Sequence, residues 1–219
     1  MLTVHHLNNS RSQRVLWLLE ELAVPYEIVK YERDLKTSLA PPDLAKIHPL
    51  GKSPVVTDGA DTVAESAVIL EYIADKYGGD KLVPGKGTPE YLRYRYFMHY
   101  AEGSLMPYLL LKLITGRIRK APALVRPIAK AIARKIDEGF VGPNLSRHIA
   151  FIAHELGSRP YFAGDELTVA DIQMSFAMEA LAARVPDAPA VIRQFVERIH
   201  ARPAFKKALE RGGPYDVMS

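Results

Sequence analysis

The 219-residue chain reads as an α/β half followed by an all-helical half. Three observations carry that expectation. Short apolar strands alternate with helical patterns in the first part, the interval Gly78–Pro89 holds four glycines and two prolines, and helical periodicity with no strand-like alternation runs on from there. The boundaries follow as one unit at residues 1–78, a linker at 79–89 and a helical unit at 90–219.

The first strand is Leu2–Leu7, short and alternating. A helix follows, with Val15, Leu18, Leu19 and Leu22 at helical spacing and Leu16 and Trp17 widening the apolar stripe, until Ala23-Val24-Pro25 ends it. Residues 26–30 read as a second strand, whose parallel pairing with the first needs the helix between them as a crossover. A short helix at 43–47 precedes His48-Pro49-Leu50-Gly51-Lys52-Ser53-Pro54, and Pro54 opens a third strand, where an X-Pro bond is a candidate for the cis form. Asp58-Gly59 supplies a turn, Thr62-Val63-Ala64 a fourth strand, and residues 66–77 a helix closed by Gly78-Gly79. In the second half the spacing predicts helices over 90–115, 123–140 and 145–156, then one from Thr168 to about 183, one over 189–201, and a short last one after Arg202-Pro203. Thr168 and Asp171 form the sequence pattern of a capping box, with Leu167 and Ile172 as a hydrophobic staple.

Composition narrows the function classes. Apolar residues make up 48% and charged residues 25%, as in ordinary globular chains, and no apolar run reaches the roughly 18 residues of a membrane span, so cytoplasmic residence is the default expectation. With no cysteine, disulfides, thiolate metal sites and a cysteine nucleophile are excluded. The net charge of +4 divides into −3 over residues 1–78 and +7 over the rest, with eight bases and no acid between Glu102 and Asp137. No aromatic residue lies between Tyr108 and Phe140 to stack on bases, so this stretch reads as solvated helix faces and not as a nucleic-acid groove. The seven histidines include no His-x-x-x-His pair, which argues against a metal site, and Gly85-Lys-Gly87 lacks the third glycine of a dinucleotide loop.

The join at Ser10 attracts attention for chemistry. A hydroxyl where a strand turns into a helix meets unpaired backbone N–H groups and the positive end of a helix dipole, a setting that favours an anion. The same position suits a plain N-cap, a role open to Ser10 or Ser12, and the stretch alone leaves both readings standing.

Four stretches taken together are more specific: Ser10-Arg11, His48-Pro-Leu-Gly-Lys-Ser-Pro54, Glu65-Ser66, and Thr168-Val-Ala-Asp171. In order and spacing they resemble the cytosolic glutathione S-transferases, and the run from Ile47 with Ala-Glu-Ser is most similar to the serine-type, theta-like enzymes of fungi and bacteria. The resemblance implies a thioredoxin-like N-terminal domain of order βαβ-α-ββα with a cis Pro54, and an all-α C-terminal bundle. It implies no permanently bound cofactor or metal, glutathione as co-substrate, and a homodimer. Ser10 then stabilises the glutathione thiolate, with Ser12 in reserve. The Ser53 backbone beside Pro54 pairs with the cysteinyl backbone, Glu65 and Ser66 take the γ-glutamyl end, and Lys52 faces the glycyl carboxylate. His48 stands where relatives often carry Asn. Tyr100, Met106, Tyr108 and Leu110 are the expected lining for a small apolar electrophile, although such a stripe also suits a core. Conjugation is the implied activity, hydroperoxide reduction its variant, and a non-catalytic glutathione-binding protein its rival.

Overall fold

The computed structural model describes residues 1–34, 36–185, 187–213 and 215, so the last four residues of the helical half lie outside it. Strand β1 (Leu2–Leu7), helix α1 (Ser12–Glu21) and strand β2 (Glu27–Tyr31) form a right-sized crossover unit in which β1 and β2 run parallel, Val4 opposite Ile28. A one-turn helix α2 (Leu44–Ile47) precedes β3 (Val55–Asp58) and β4 (Asp61–Ala64). Gly59, at φ 63°, makes the tight turn between these two antiparallel strands. The sheet order is β2-β1-β3-β4, with β1 and β3 antiparallel and Val4 opposite Val56. Val4 and Val56 are wholly buried, as central positions of a covered sheet should be. Helix α3 (Ser66–Ile73) packs with α1 against the sheet and ends in a wide π-type turn, Ala74–Gly78.

The second half contains α4 (Pro89–Tyr100), α5 (Met106–Ile118), α6 (Arg126–Ile136), α7 (Gly142–Ser158), α8 (Val169–Arg184), α9 (Ala190–His200) and α10 (Pro203–Gly212). The fold class is therefore the expected one: a four-stranded thioredoxin-like unit and a helical unit. Two boundaries differ from the periodicity. The single helix expected over 90–115 opens into a wide turn at Ala101–Leu105, and the one expected over 123–140 starts later, at Arg126, and meets α7 through another at Asp137–Val141. Each wide turn stands just ahead of a proline, Pro107 or Pro143, which has no N–H to return to the preceding turn. At the second turn Gly142 is needed for space, since a Cβ there would lie 2.8 Å from the Asp137 carbonyl oxygen.

Helix α8 is buried almost all round and fixed at its start by the capping box. Asp171, with no exposed surface, accepts hydrogen bonds from the N–H groups of Thr168 (2.8 Å) and Phe162 (2.7 Å). Around α8 one continuous apolar core joins both halves of the chain, from Leu2 and Trp17 through Phe97 to Phe195. The last helix returns to the first: Phe205 of α10 meets Trp17 of α1 edge to face at 5.2 Å, and Arg202 and Arg211 pair with Glu21 and Glu20. Among the described residues no helix is long and apolar enough to cross a membrane.

At the end of β3, Asp58 ties the sheet to the far end of α3. Its carboxylate accepts from Lys76 Nζ (2.6 Å), from the Tyr77 hydroxyl and from the Tyr72 hydroxyl (2.9 Å), and these bonds, Lys76 first, hold its pKa down at about 2. A carboxyl depressed in the folded state contributes stability above its unfolded pKa and loses it as pH falls toward the folded one. In urea denaturation at neutral pH, Asp58→Asn should cost about 1–2 kcal/mol, and its gap from the wild type should close as pH falls from about 4 to about 2. Asp171→Ala strips two buried N–H groups of their acceptor together with the helix cap, and the same measurement should read a loss of about 3 kcal/mol.

Candidate functional site

Three local structures converge at one end of the sheet. The first is the β1–α1 join, where the turn Asn8-Asn9-Ser10 brings Asn9 to φ 48° before α1 begins. Ser10 is 3% exposed and Ser12 is fully buried, and their Oγ atoms lie 2.8 Å apart. The N–H of Ser12, the first residue of α1, donates to Ser10 Oγ at 3.2 Å, while the N-cap position itself is Arg11, with no side-chain cap, so neither serine is the plain N-cap. Ser12 Oγ also lies 2.9 Å from His6 Nδ1. Burial, with the nearby Lys30 charge, pushes His6 down to about 4, so the ring is neutral near pH 7.

The second is the loop entering β3. The Ser53–Pro54 bond is cis, and Ser53 precedes Val55, which opens the β3 pairing with β1 opposite His5. The Ser53 hydroxyl is spent on the sheet, donating to the His5 carbonyl at 2.9 Å and accepting from the Leu7 N–H at 3.3 Å. Ser53 is at the same time part of the pocket lining. His48 turns Nδ1 back to the Leu50 N–H at 3.4 Å.

The third is the start of α3. Glu65 takes φ 71° and ψ 124°, a left-handed backbone rarely held by a residue with a side chain, and Ser66 is the buried first residue of the helix. The α3 ladder opens with Ile69 N–H bonding to the Glu65 carbonyl, so the N–H groups of residues 66–68 precede it and point toward the pocket end.

Between these structures lies a pocket of about 200 Å³ lined by His48, Lys52, Ser53, Pro54, Glu65 and Ser66, with Arg11 and Glu102 on its further wall. Five of the expected ligand residues are therefore brought together. Ser10 lies beneath that wall, next to Arg11, and is not itself part of the lining. Arg11 and Glu102 carry no role that the sequence pattern signals. Arg11 Nε donates to Glu102 Oε1 at 2.9 Å, and Arg14, only 2% exposed, donates to the same oxygen at 2.7 Å and to the Gln173 carbonyl. Burial raises the Glu102 carboxyl, but Arg14 and Arg11 outweigh it and hold the group below its ordinary range.

The four expected electrophile-pocket residues are scattered. Tyr100 is buried, with its hydroxyl 2.5 Å from His148 Nδ1, and Tyr108 packs its ring on Phe140 and His148. These two line neighbouring open concavities of about 470 and 460 Å³ that share Gly103 and Ser104 and lie apart from Ser53 and Pro54. Met106 is half-buried against the core and Leu110 is 54% exposed. None of the four lines the pocket at Pro54. Among the described residues, no cluster of three or more His, Cys, Asp or Glu side chains could hold a metal ion.

Comparison with known proteins places this geometry in context. Residues 1–75 match the family model of the glutathione S-transferase N-terminal domain, and residues 137–203 that of the C-terminal domain. The chain is 39% identical over 181 residues to glutathione S-transferase 3 of Schizosaccharomyces pombe, covering 82% of this chain and 74% of the relative. It is 32% identical over 188 residues to glutathione S-transferase 1 of Saccharomyces cerevisiae, covering 82% and 80%. Among solved structures, a glutathione S-transferase from Actinobacillus pleuropneumoniae superposes with a TM-score of 0.82 at 28% identity over 99% of this chain and 95% of the other.

The Arg14–Glu102 pair gives a direct test of how the two halves are held at the pocket. Glu102 is a third exposed, but removing it leaves the buried Arg14 cation without its counter-charge. Glu102→Ala should lower stability in chemical denaturation by about 3 kcal/mol, and Glu102→Gln, which keeps an acceptor for Arg14, by about half of that.

Proposed function

The chain belongs to the glutathione S-transferase family, and from that premise we propose that it transfers the glutathione thiolate to small, largely apolar electrophiles, with Ser10 as the hydroxyl that stabilises the sulfur anion. The observation that carries this reading is the convergence of Lys52, Ser53, Pro54, Glu65 and Ser66 on one pocket beside the start of α1. Each group has a partner on the tripeptide. The Glu65 carboxylate takes the γ-glutamyl ammonium, and the Ser66 hydroxyl with the first N–H groups of α3 takes the γ-glutamyl carboxylate. The Ser53 main chain pairs with the cysteinyl backbone as an added strand, and Lys52 faces the glycyl carboxylate. That arrangement points the thiol toward the β1–α1 join, where a hydroxyl donor and the α1 dipole favour its ionised form.

On this reading residues 1–78 bind glutathione, residues 79–89 link, and residues 90–219 supply the electrophile side. Met106 and Leu110 stand on α5, the helix that follows the turn carrying Glu102 of the pocket wall, and are the better candidates there although neither lines the pocket itself. Tyr100 and Tyr108 are already engaged by His148. The same thiolate would reduce an organic hydroperoxide, which makes peroxidase activity a variant of one mechanism. No metal or resident cofactor enters it. We further read the protein as cytoplasmic and as a homodimer, the latter supported by the exposed apolar side chains of Leu92 and Tyr96 on α4 and Val68 on α3.

One observation favours a second reading. Ser10 is almost fully buried, and its oxygen already receives the Ser12 N–H, as a residue with a purely structural role would. A protein that binds glutathione without activating it fits that arrangement.

Ultraviolet absorbance of bound glutathione separates the two. The transferase reading expects a thiolate band near neutral pH that Ser10→Ala removes, with the bound thiol's pKa raised by about one unit and conjugation to an aromatic halide reduced about tenfold, at little cost in glutathione affinity. Binding without any thiolate band would sink it.

A further inference from the structure

The buried polar atoms behind Ser10 form a line that ends on a histidine no part of the proposed chemistry uses. His6 Nδ1, Ser12 Oγ and Ser10 Oγ follow one another at 2.9 and 2.8 Å, and all three residues are at most 3% exposed. Each hydroxyl has one proton and two lone pairs, so the direction of the first bond sets the direction of the next.

Two arrangements satisfy the line. If His6 carries its proton on Nε2, the Ser12 hydroxyl donates to Nδ1 and the Ser10 hydroxyl donates to Ser12. Ser10 then turns a lone pair outward, the wrong partner for a thiolate. If the proton is on Nδ1, the order reverses. Ser12 Oγ accepts from His6 and, at 3.3 Å, from the Leu7 N–H that it shares with Ser53 Oγ, and its own proton goes to Ser10 at 2.8 Å in preference to the Leu7 carbonyl at 3.2 Å. Ser10 Oγ then accepts from both the O–H and the N–H of Ser12. Its lone pairs are filled, and its proton is left for the ligand.

We propose that His6 and Ser12 are positioning residues: His6 as the Nδ1–H tautomer turns the Ser12 hydroxyl, and Ser12 turns the Ser10 hydroxyl, so that Ser10 meets the glutathione sulfur as a donor. This rests on the reading of Ser10 given above. No proton is transferred along the line, and the neutral ring, which faces the charge of Lys30, remains neutral throughout. The imidazole is held in place by the C-terminal helix. At Gly212 of α10 an added Cβ would lie 3.3 Å from His6 Nε2 and 2.8 Å from Leu16 Cδ1, so glycine lets α10 close over the ring.

The arrangement predicts a spectroscopic result in the unaltered protein. With glutathione bound, ¹⁵N-resolved NMR should show His6 protonated at Nδ1, and a ring protonated only at Nε2 overturns the proposal. In variants, Ser12→Ala and His6→Leu should raise the pKa of the bound thiol by about one unit, a tenfold loss of thiolate near neutral pH, while glutathione affinity and kcat at high pH change little. His6→Asn places an amide N–H where Nδ1–H stood and should restore the thiolate to within about twofold of the wild type. If Ser10→Ala raises the thiol pKa but Ser12→Ala and His6→Leu do not, the line is structural only and the positioning role is wrong. If Ser10→Ala itself leaves the thiol pKa unchanged, the assignment of Ser10 fails, and the role of His6 and Ser12 fails with it.

Discussion

A guanidinium buried to 2% exposure cannot stay in a folded protein without partners, and the partners of Arg14 determine how this one is assembled. Arg14 stands on the first helix. It donates to the main chain of Gln173 on the most buried helix of the second half, and to Glu102 in the wide turn between α4 and α5. Leaving the cation unmet would cost more than most single core contacts, so α1, α8 and the 101–105 turn have little freedom to slide past one another. The pocket inherits that rigidity, because Glu102 and Arg11, bonded to each other, form its further wall.

The other walls are fixed by different means. Ser53 is stitched to β1 through its own hydroxyl, Pro54 is the cis residue before β3, and α3 is anchored at its far end by the Asp58 cluster. A site built this way is pre-organised: most of its polar groups are committed to the fold, and those left over face inward. The wide turns contribute as well. Pro107, two residues downstream, loosens the helix around 101–105, and Glu102 of that turn stands on the pocket wall.

Much of the fold was legible in the sequence because its signals are local. Alternation marked β1, Gly78–Pro89 marked the change of character, and Thr168 with Asp171 announced α8 through a bond that spans three residues. The residues that the family resemblance assigns to glutathione include five that line one pocket. What escaped is long-range. Nothing near Glu102 indicates Arg11, 91 residues away, and in sequence Glu102 only marked the start of a basic stretch. The return of α10 onto α1 has no local signature, so the closure over His6 by Gly212 could not be read either. Tyr100, Met106, Tyr108 and Leu110 show the limit of periodicity, which identifies apolar faces without telling which neighbour covers each. His148, distant in sequence, takes the two tyrosines.

Glu65 holds a left-handed backbone that costs on the order of 1–3 kcal/mol for a residue with a side chain. Glycine would relax the turn, and asparagine would sit there more easily. In evolutionary terms the position is a tax on thermal tolerance, which on the proposed function is offset by the ligand's ammonium group. A lineage that stopped using the pocket would gain heat resistance by drifting to glycine at residue 65, so across descendants of this chain the identity of that one residue would record whether the pocket is still in service.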